Sequence, residues 1–109
     1  MAYSDQLAER VREVVTRKKG ITEKKMFGGI GFLLNGNMLV GIWKEFLIVR
    51  LGPEEGMKAL KEQFVIEFDI TGKPMKGWVM VVPDGVEHDD QLKKWIQRAT
   101  TFVETLPGK

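Results

Sequence analysis

The sequence predicts an α+β domain: a two-layer α/β sandwich of order α-β-β-β-α-β-β-α, with an antiparallel sheet of about five strands covered by helices. Apolar residues recur at steps of three and four near both ends of the chain, as helices require. Between them, the uncharged run from Met26 to Trp43 is interrupted by Asn35-Gly36-Asn37, and a strict two-residue alternation starts at Phe64. With 109 residues the chain makes one domain, 1–109, large enough to bury about two-thirds of the surface its unfolded form exposes.

The first helix is expected from about residue 5 to 19. Leu7, Val11, Val14 and Val15 share one face, Ser4 or Asp5 caps the start, and Arg17-Lys18-Lys19-Gly20 brings positive charge and a left-handed residue to the end. The run from Met26 to Trp43 is eighteen residues, close to the length of a membrane span. Glycines at 28, 29, 31, 36 and 41 would make that helix poor, whereas two strands joined by an Asn-Gly turn fit the run, with Lys25 and Lys44 just outside it.

Lys44-Glu45 makes a second tight turn into a third strand, Phe46 to Leu51, completing a meander. Pro53, Glu54 and Glu55 then open a short helix from which Met57, Ala59 and Leu60 are expected to face inward. The next strand places Phe64, Ile66, Phe68 and Ile70 on one face and Val65, Glu67, Asp69 and Thr71 on the other. The turn Thr71-Gly72-Lys73-Pro74 leads to an apolar strand, Trp78 to Val82, which stops at Pro83-Asp84-Gly85. Leu92, Trp95, Ile96, Ala99, Phe102, Val103 and Leu106 mark the last helix, capped by His88, Asp89 or Asp90 and ended by Pro107-Gly108.

Composition narrows the chemistry. With no cysteine, the chain offers no disulfide, Cys-ligated zinc, iron–sulfur cluster or thiol nucleophile, and its single histidine excludes multi-histidine metal sites. Neither a metal nor a cofactor is expected. The first residues, Met1-Ala2-Tyr3-Ser4-Asp5, lack the apolar core of a signal peptide, so the mature chain is expected to start at or near Met1. A formal charge of +2 is too small to argue for nucleic acid by itself.

Three segments together carry a family resemblance: Met26-Phe27-Gly28-Gly29-Ile30-Gly31-Phe32 entering the hairpin, Leu47-Ile48-Val49-Arg50-Leu51 ending the meander, and Gly72-Lys73-Pro74-Met75-Lys76-Gly77-Trp78 before the fifth strand. Over roughly residues 10 to 106 the chain resembles the N-terminal domain of the TfoX/Sxy family. The resemblance implies a two-layer α/β domain like that of secretion chaperones, in cytoplasmic bacterial proteins. Founding members regulate natural competence, acting with a cyclic-AMP-dependent transcription activator at promoters. They carry a small helical C-terminal domain after this one, whereas Lys109 follows the last helix directly; the expectation is a single-domain member to which the regulatory role carries over weakly. The resemblance brings no catalytic residues with it.

Candidate site residues remain to be weighed. Gly28, Gly29 and Gly31 either cradle a phosphate or form a bulge where another element packs on bare backbone; a strand rather than a helix follows them, unlike the nucleotide fingerprint. Arg50, Lys73 and Lys76 either gather around an anion, Arg50 as bidentate fork and the lysines as point charges, or Arg50 pairs with an acid such as Glu67 while the lysines solvate a turn. Trp95 belongs to the core. Trp43 and Trp78 each pack in the core or offer amphipathic rings to a partner surface.

His88 beside Asp89 and Asp90 reads as a helix cap, as Glu54 and Glu55 read as first-turn residues, so no catalytic residue is assigned and the protein is expected not to be an enzyme. Residues 1–25 hold seven basic and four acidic side chains, and Lys93, Lys94 and Arg98 add to the last helix; solvated helix faces explain these, and nucleic acid is weakly supported. The leading expectation is a cytoplasmic regulatory or protein-interaction module that works through a protein partner or as a homodimer. Its surface would be the outer strand of the meander and the region of Trp43 and Trp78. The alternative is a small-anion or nucleotide sensor built on Gly28, Gly29, Arg50, Lys73 and Lys76. No membrane association is expected.

Overall fold

The computed structural model describes residues 4–26, 28–68 and 76–108. Among them, three α-helices accompany one antiparallel sheet of six strands in the order β1-β2-β3-β4-β6-β5. Helix α1 spans Asp5–Val15: the Ser4 hydroxyl accepts a hydrogen bond from the Leu7 N–H at 3.2 Å, and Leu7, Ala8, Val11 and Val15 are buried. It ends four residues before the expected limit. The Lys18 N–H turns back to the Val15 carbonyl at 2.9 Å, and Gly20, at φ 82°, redirects the chain into a strand.

That strand, β1 (Ile21–Met26), is an element the sequence did not reveal. Its polar Thr22-Glu23-Lys24-Lys25 suits an edge, where charge discourages further pairing. Because β1 pairs with β2 (Gly29–Leu34), the outer strand of the expected meander is an interior strand with no free edge. The sheet therefore has one strand more than predicted.

The Asn-Gly turn forms as expected: Asn35 and Gly36 take φ of 52° and 84° between β2 and β3 (Asn37–Trp43). A register shift at Phe32/Leu33 lets consecutive Leu39 and Val40 both be buried. Lys44, also left-handed at φ 55°, turns β3 into β4 (Phe46–Arg50). Strand β6 (Trp78–Val81) lies between β4 and the short edge strand β5 (Val65–Glu67).

Helix α2 (Pro53–Ala59) departs most from expectation. A Cβ built on Gly56 would stand 3.0 Å from the Gly77 Cα, and the N–H groups of Leu51 and Gly52 both donate to the Gly77 carbonyl. The helix is thus seated by its small residues, Gly56 and Ala59, and the larger Met57 and Leu60 are turned outward, 62% and 38% exposed. The predicted face of β5 is also reversed. Val65 pairs with Val81 and joins the core, whereas Ile66 is 41% exposed; Phe64, at φ 70°, precedes the strand. Residues 69–75, which include the end of the predicted strand and the turn Thr71-Gly72-Lys73-Pro74, lie outside the described residues.

Helix α3 (Asp89–Val103) lies against β3 and β4. His88 is its N-cap, and its N–H donates to the Gln91 Oε1 at 2.8 Å. Leu92, Ile96 and Ala99 are buried, and Trp95 is 8% exposed, as expected of a core residue. All three helices contribute to one core with the inner side chains of the strands, among them Phe32, Ile42, Leu47, Val49 and Val81. The buried Asn37 donates to the Pro107 carbonyl at 2.8 Å, tying the end of the chain to β3.

Two outcomes follow from this packing. A Cβ on Gly29 would meet the Ile42 carbonyl oxygen at 2.1 Å, so Gly29→Ala is expected to destabilise the domain by about 1–3 kcal/mol or more, measured by urea unfolding. The Arg98 guanidinium forms a two-pronged pair with Glu62 at 3.1 and 2.8 Å, and this hydrogen bond holds the Glu62 carboxyl below its ordinary pKa. A lowered folded pKa stabilises above the unfolded value and is lost as pH falls through the folded one. The pair is exposed and screened, so Glu62→Gln should cost no more than about 1 kcal/mol at neutral pH. The difference from wild type should vanish below the ordinary carboxylate range.

Candidate functional site

Adjacent residues of a strand point to opposite faces, and paired residues share one, so the register defines the face of the sheet away from the helices. Gly31 pairs with Gly41, Gly41 with Ile48, Ile48 with Met80, and Met80 with Ile66, a row across five strands. Ile48 and Met80 form a second core with Phe68, and Trp43, Phe46 and Trp78 pack against it half-buried. No helix residue among the described residues belongs to this cluster.

The rings make a connected patch. Trp43 stacks on Phe46 with centroids 6.1 Å apart, and Phe68 is tilted against Trp78 at 5.8 Å. The Lys44 ammonium lies 4.7 Å above the Trp43 ring. Both tryptophans singled out in the sequence therefore belong to one outer cluster. Trp43 sits at the β3–β4 turn, and Trp78 at the far end of the sheet opposite Arg50. Phe46, Ile48 and Met80, which complete it, went unnoticed in strands that read as continuously apolar. Splitting Phe46, Ile48 and Arg50 from Leu47, Val49 and Leu51 by alternation would have separated the two faces.

The anion candidates fall into two groups. Gly29 lies against the backbone of Ile42 and Trp43, and Gly28, at φ 77°, precedes it. Arg50 stands at the other end of β4, four residues beyond the Phe46 that pairs with Trp43, a separation of about 13 Å along the strand. Lys76 is exposed and lies near Arg50, since Gly77 beside it binds Leu51 and Gly52; Lys73 lies outside the described residues.

The Arg50 guanidinium stacks on Trp78 at 5.2 Å and Phe102 at 5.8 Å and donates to the Met38 carbonyl at a long 3.5 Å. Among the described residues it has no carboxylate within ion-pair distance, Glu67 included. It thus stacks on one ring of the outer cluster, Trp78, and on one ring of α3, Phe102, which packs against the helix-side core.

The remaining polar candidates are dispersed. His88 is an exposed helix cap, and Glu54 and Glu55 are exposed in the first turn of α2. Arg10 pairs with Asp89 at 3.3 Å, and Arg12 pairs with Glu23. Among the described residues, no three His, Asp or Glu side chains gather as metal ligands, and no helix is long and apolar enough to cross a membrane.

A family model described as the TfoX N-terminal domain matches residues 13–103, most of the chain. Comparisons with curated proteins and with solved structures found no significant match.

Arg50→Lys keeps the charge but loses the planar stack on Trp78 and Phe102. It is expected to lower stability by about 0.5–2 kcal/mol in urea unfolding.

Proposed function

We propose that the chain, which belongs to the TfoX N-terminal domain family, is a non-enzymatic regulatory module of the cytoplasm that acts by binding protein, a partner or a second copy, through the outer face of its sheet. The observation that carries this reading is the apolar cluster of Trp43, Phe46 and Trp78 around Ile48 and Met80, on the side of the sheet away from the helix-covered core. Amphipathic rings half in and half out of a surface are the side chains that dominate protein interfaces, because they bury large area with little loss of conformational freedom. Ile66, 41% exposed, extends the patch to the β5 edge. The regulatory part of the reading rests on family membership and on the resemblance to competence regulators.

Two measurements test it. Sedimentation over a range of concentrations reads self-association, and a photoreactive phenylalanine analogue at position 46 reads a partner in cells. The expected result is a concentration-dependent dimer or a discrete crosslinked adduct, either one lost in Trp43→Ser. Trp43 is only half-buried, so this variant is expected to remain folded by circular dichroism. A strictly monomeric protein that gives no adduct, or an association that Trp43→Ser leaves unchanged, would remove this face from consideration.

A further inference from the structure

Helices α1 and α3 lie over the sheet together but diverge at the surface, leaving an open cleft of about 530 Å³ between them. Each helix contributes one stripe to it. Residues 10, 14 and 17 follow the spacing of a single face of α1 and the turn after it, and residues 89, 93 and 96 that of a face of α3. Half-buried Val14 and buried Ile96 are the cleft's two apolar residues, and the rest of the lining is charged or polar. One end is closed by Arg10, which pairs with Asp89 at 3.3 Å and donates to the Glu87 carbonyl.

The remaining charge is unbalanced. Arg17, Lys18 and Lys93 line the cleft without a carboxylate in ion-pair distance among the described residues, and against them stands Glu13 alone, since Asp89 is engaged by Arg10. Basic helix faces are ordinarily just solvated, but here three cations border a concavity in which Val14 is left half-buried, which a solvated face does not require.

We infer that this cleft docks an acidic, amphipathic helical segment of a protein partner, distinct from whatever covers the outer sheet face. A groove between two helices accepts a third helix lengthwise, apolar side chains inward. Glutamates or aspartates on the flanks of that segment would meet Arg17, Lys18 and Lys93. Nucleic acid fits less well: the surface is concave, Glu13 faces the ligand, and three free cations fall short of the row of phosphate contacts that duplex binding needs.

The test uses fluorescence anisotropy on the full chain with three probes. They are a labelled peptide of about 15 residues with leucine on one helical stripe and glutamate on both flanks, its counterpart with lysine for glutamate, and a mixed-sequence DNA duplex. The glutamate peptide is expected to bind, more weakly as salt rises, and the lysine peptide not to. Arg17→Glu with Lys93→Glu should weaken the glutamate peptide by about tenfold or more and favour the lysine peptide. Arg17→Gln with Lys93→Gln should give an intermediate loss, and because these side chains are exposed both variants should melt like wild type. Equal affinity for the two peptides, an affinity that charge reversal leaves unchanged, or displacement of the peptide by more tightly bound DNA would overturn the inference. So would a dimer dispersed by the same reversal, which would put a second copy in the cleft.

Discussion

Leu47, Val49, Val79 and Val81 point toward the helices, while Ile48 and Met80, one residue along, point the other way, so β4 and β6 bury apolar side chains on both sides of one sheet. Among the described residues, helices cover only one of those sides. The other is closed by its own aromatic rings, which remain half-exposed as they do so. Burial of apolar surface is the main favourable term in folding, and a sheet with two apolar faces and one helical layer leaves some of it unrealised until something else is placed on the open side. The surface left open on the outer face belongs to the half-buried Trp43, Phe46 and Trp78, since Ile48, Met80 and Phe68 are already buried.

Close backbone approach is the second constraint, and it operates through glycine. Gly29 fits beneath the Ile42 carbonyl, and Gly56 and Gly77 meet backbone to backbone, so β3 and α2 come nearer than any side chain would permit. The consequence for α2 is concrete: Gly56 and Ala59 form its buried side, and Met57 stays 62% exposed. The glycine-rich segment Gly28–Gly31 is accounted for by packing of this kind at Gly29 and by the facing pair Gly31 and Gly41 on the outer side of the sheet.

The charged groups divide along similar lines. Arg12 with Glu23 and Arg98 with Glu62 join helices to neighbouring segments at the surface, and Arg50 stacks on Trp78 and Phe102. Between α1 and α3, Arg10, Arg17, Lys18 and Lys93 outnumber Glu13 and Asp89 around a concave surface. An apolar outer face and a basic cleft on opposite layers would allow one small domain to hold two partners at once, or one partner by two segments, without any moving part.

Much of the architecture was written in the sequence, because it depends on local chemistry. The Asn35-Gly36 turn follows from left-handed conformations that few residue pairs tolerate, α3 from apolar residues at helical steps, although it ends at Val103 rather than at the expected Pro107, and the meander from the tight turns that separate its strands. Strand β1 was hidden because its centre, Thr22-Glu23-Lys24-Lys25, has no apolar signature; it exists because the open edge of β2 pairs with it. The orientation of α2, the reversal of β5 and the separation of Gly28 and Gly29 from Arg50 were likewise undecided, since each depends on which distant backbone comes near rather than on the residues themselves. What the chain alone determined was the kind and order of its elements apart from β1; which side chains those elements leave exposed was decided only when six strands were set in register, because only the register fixes which face the helices occupy.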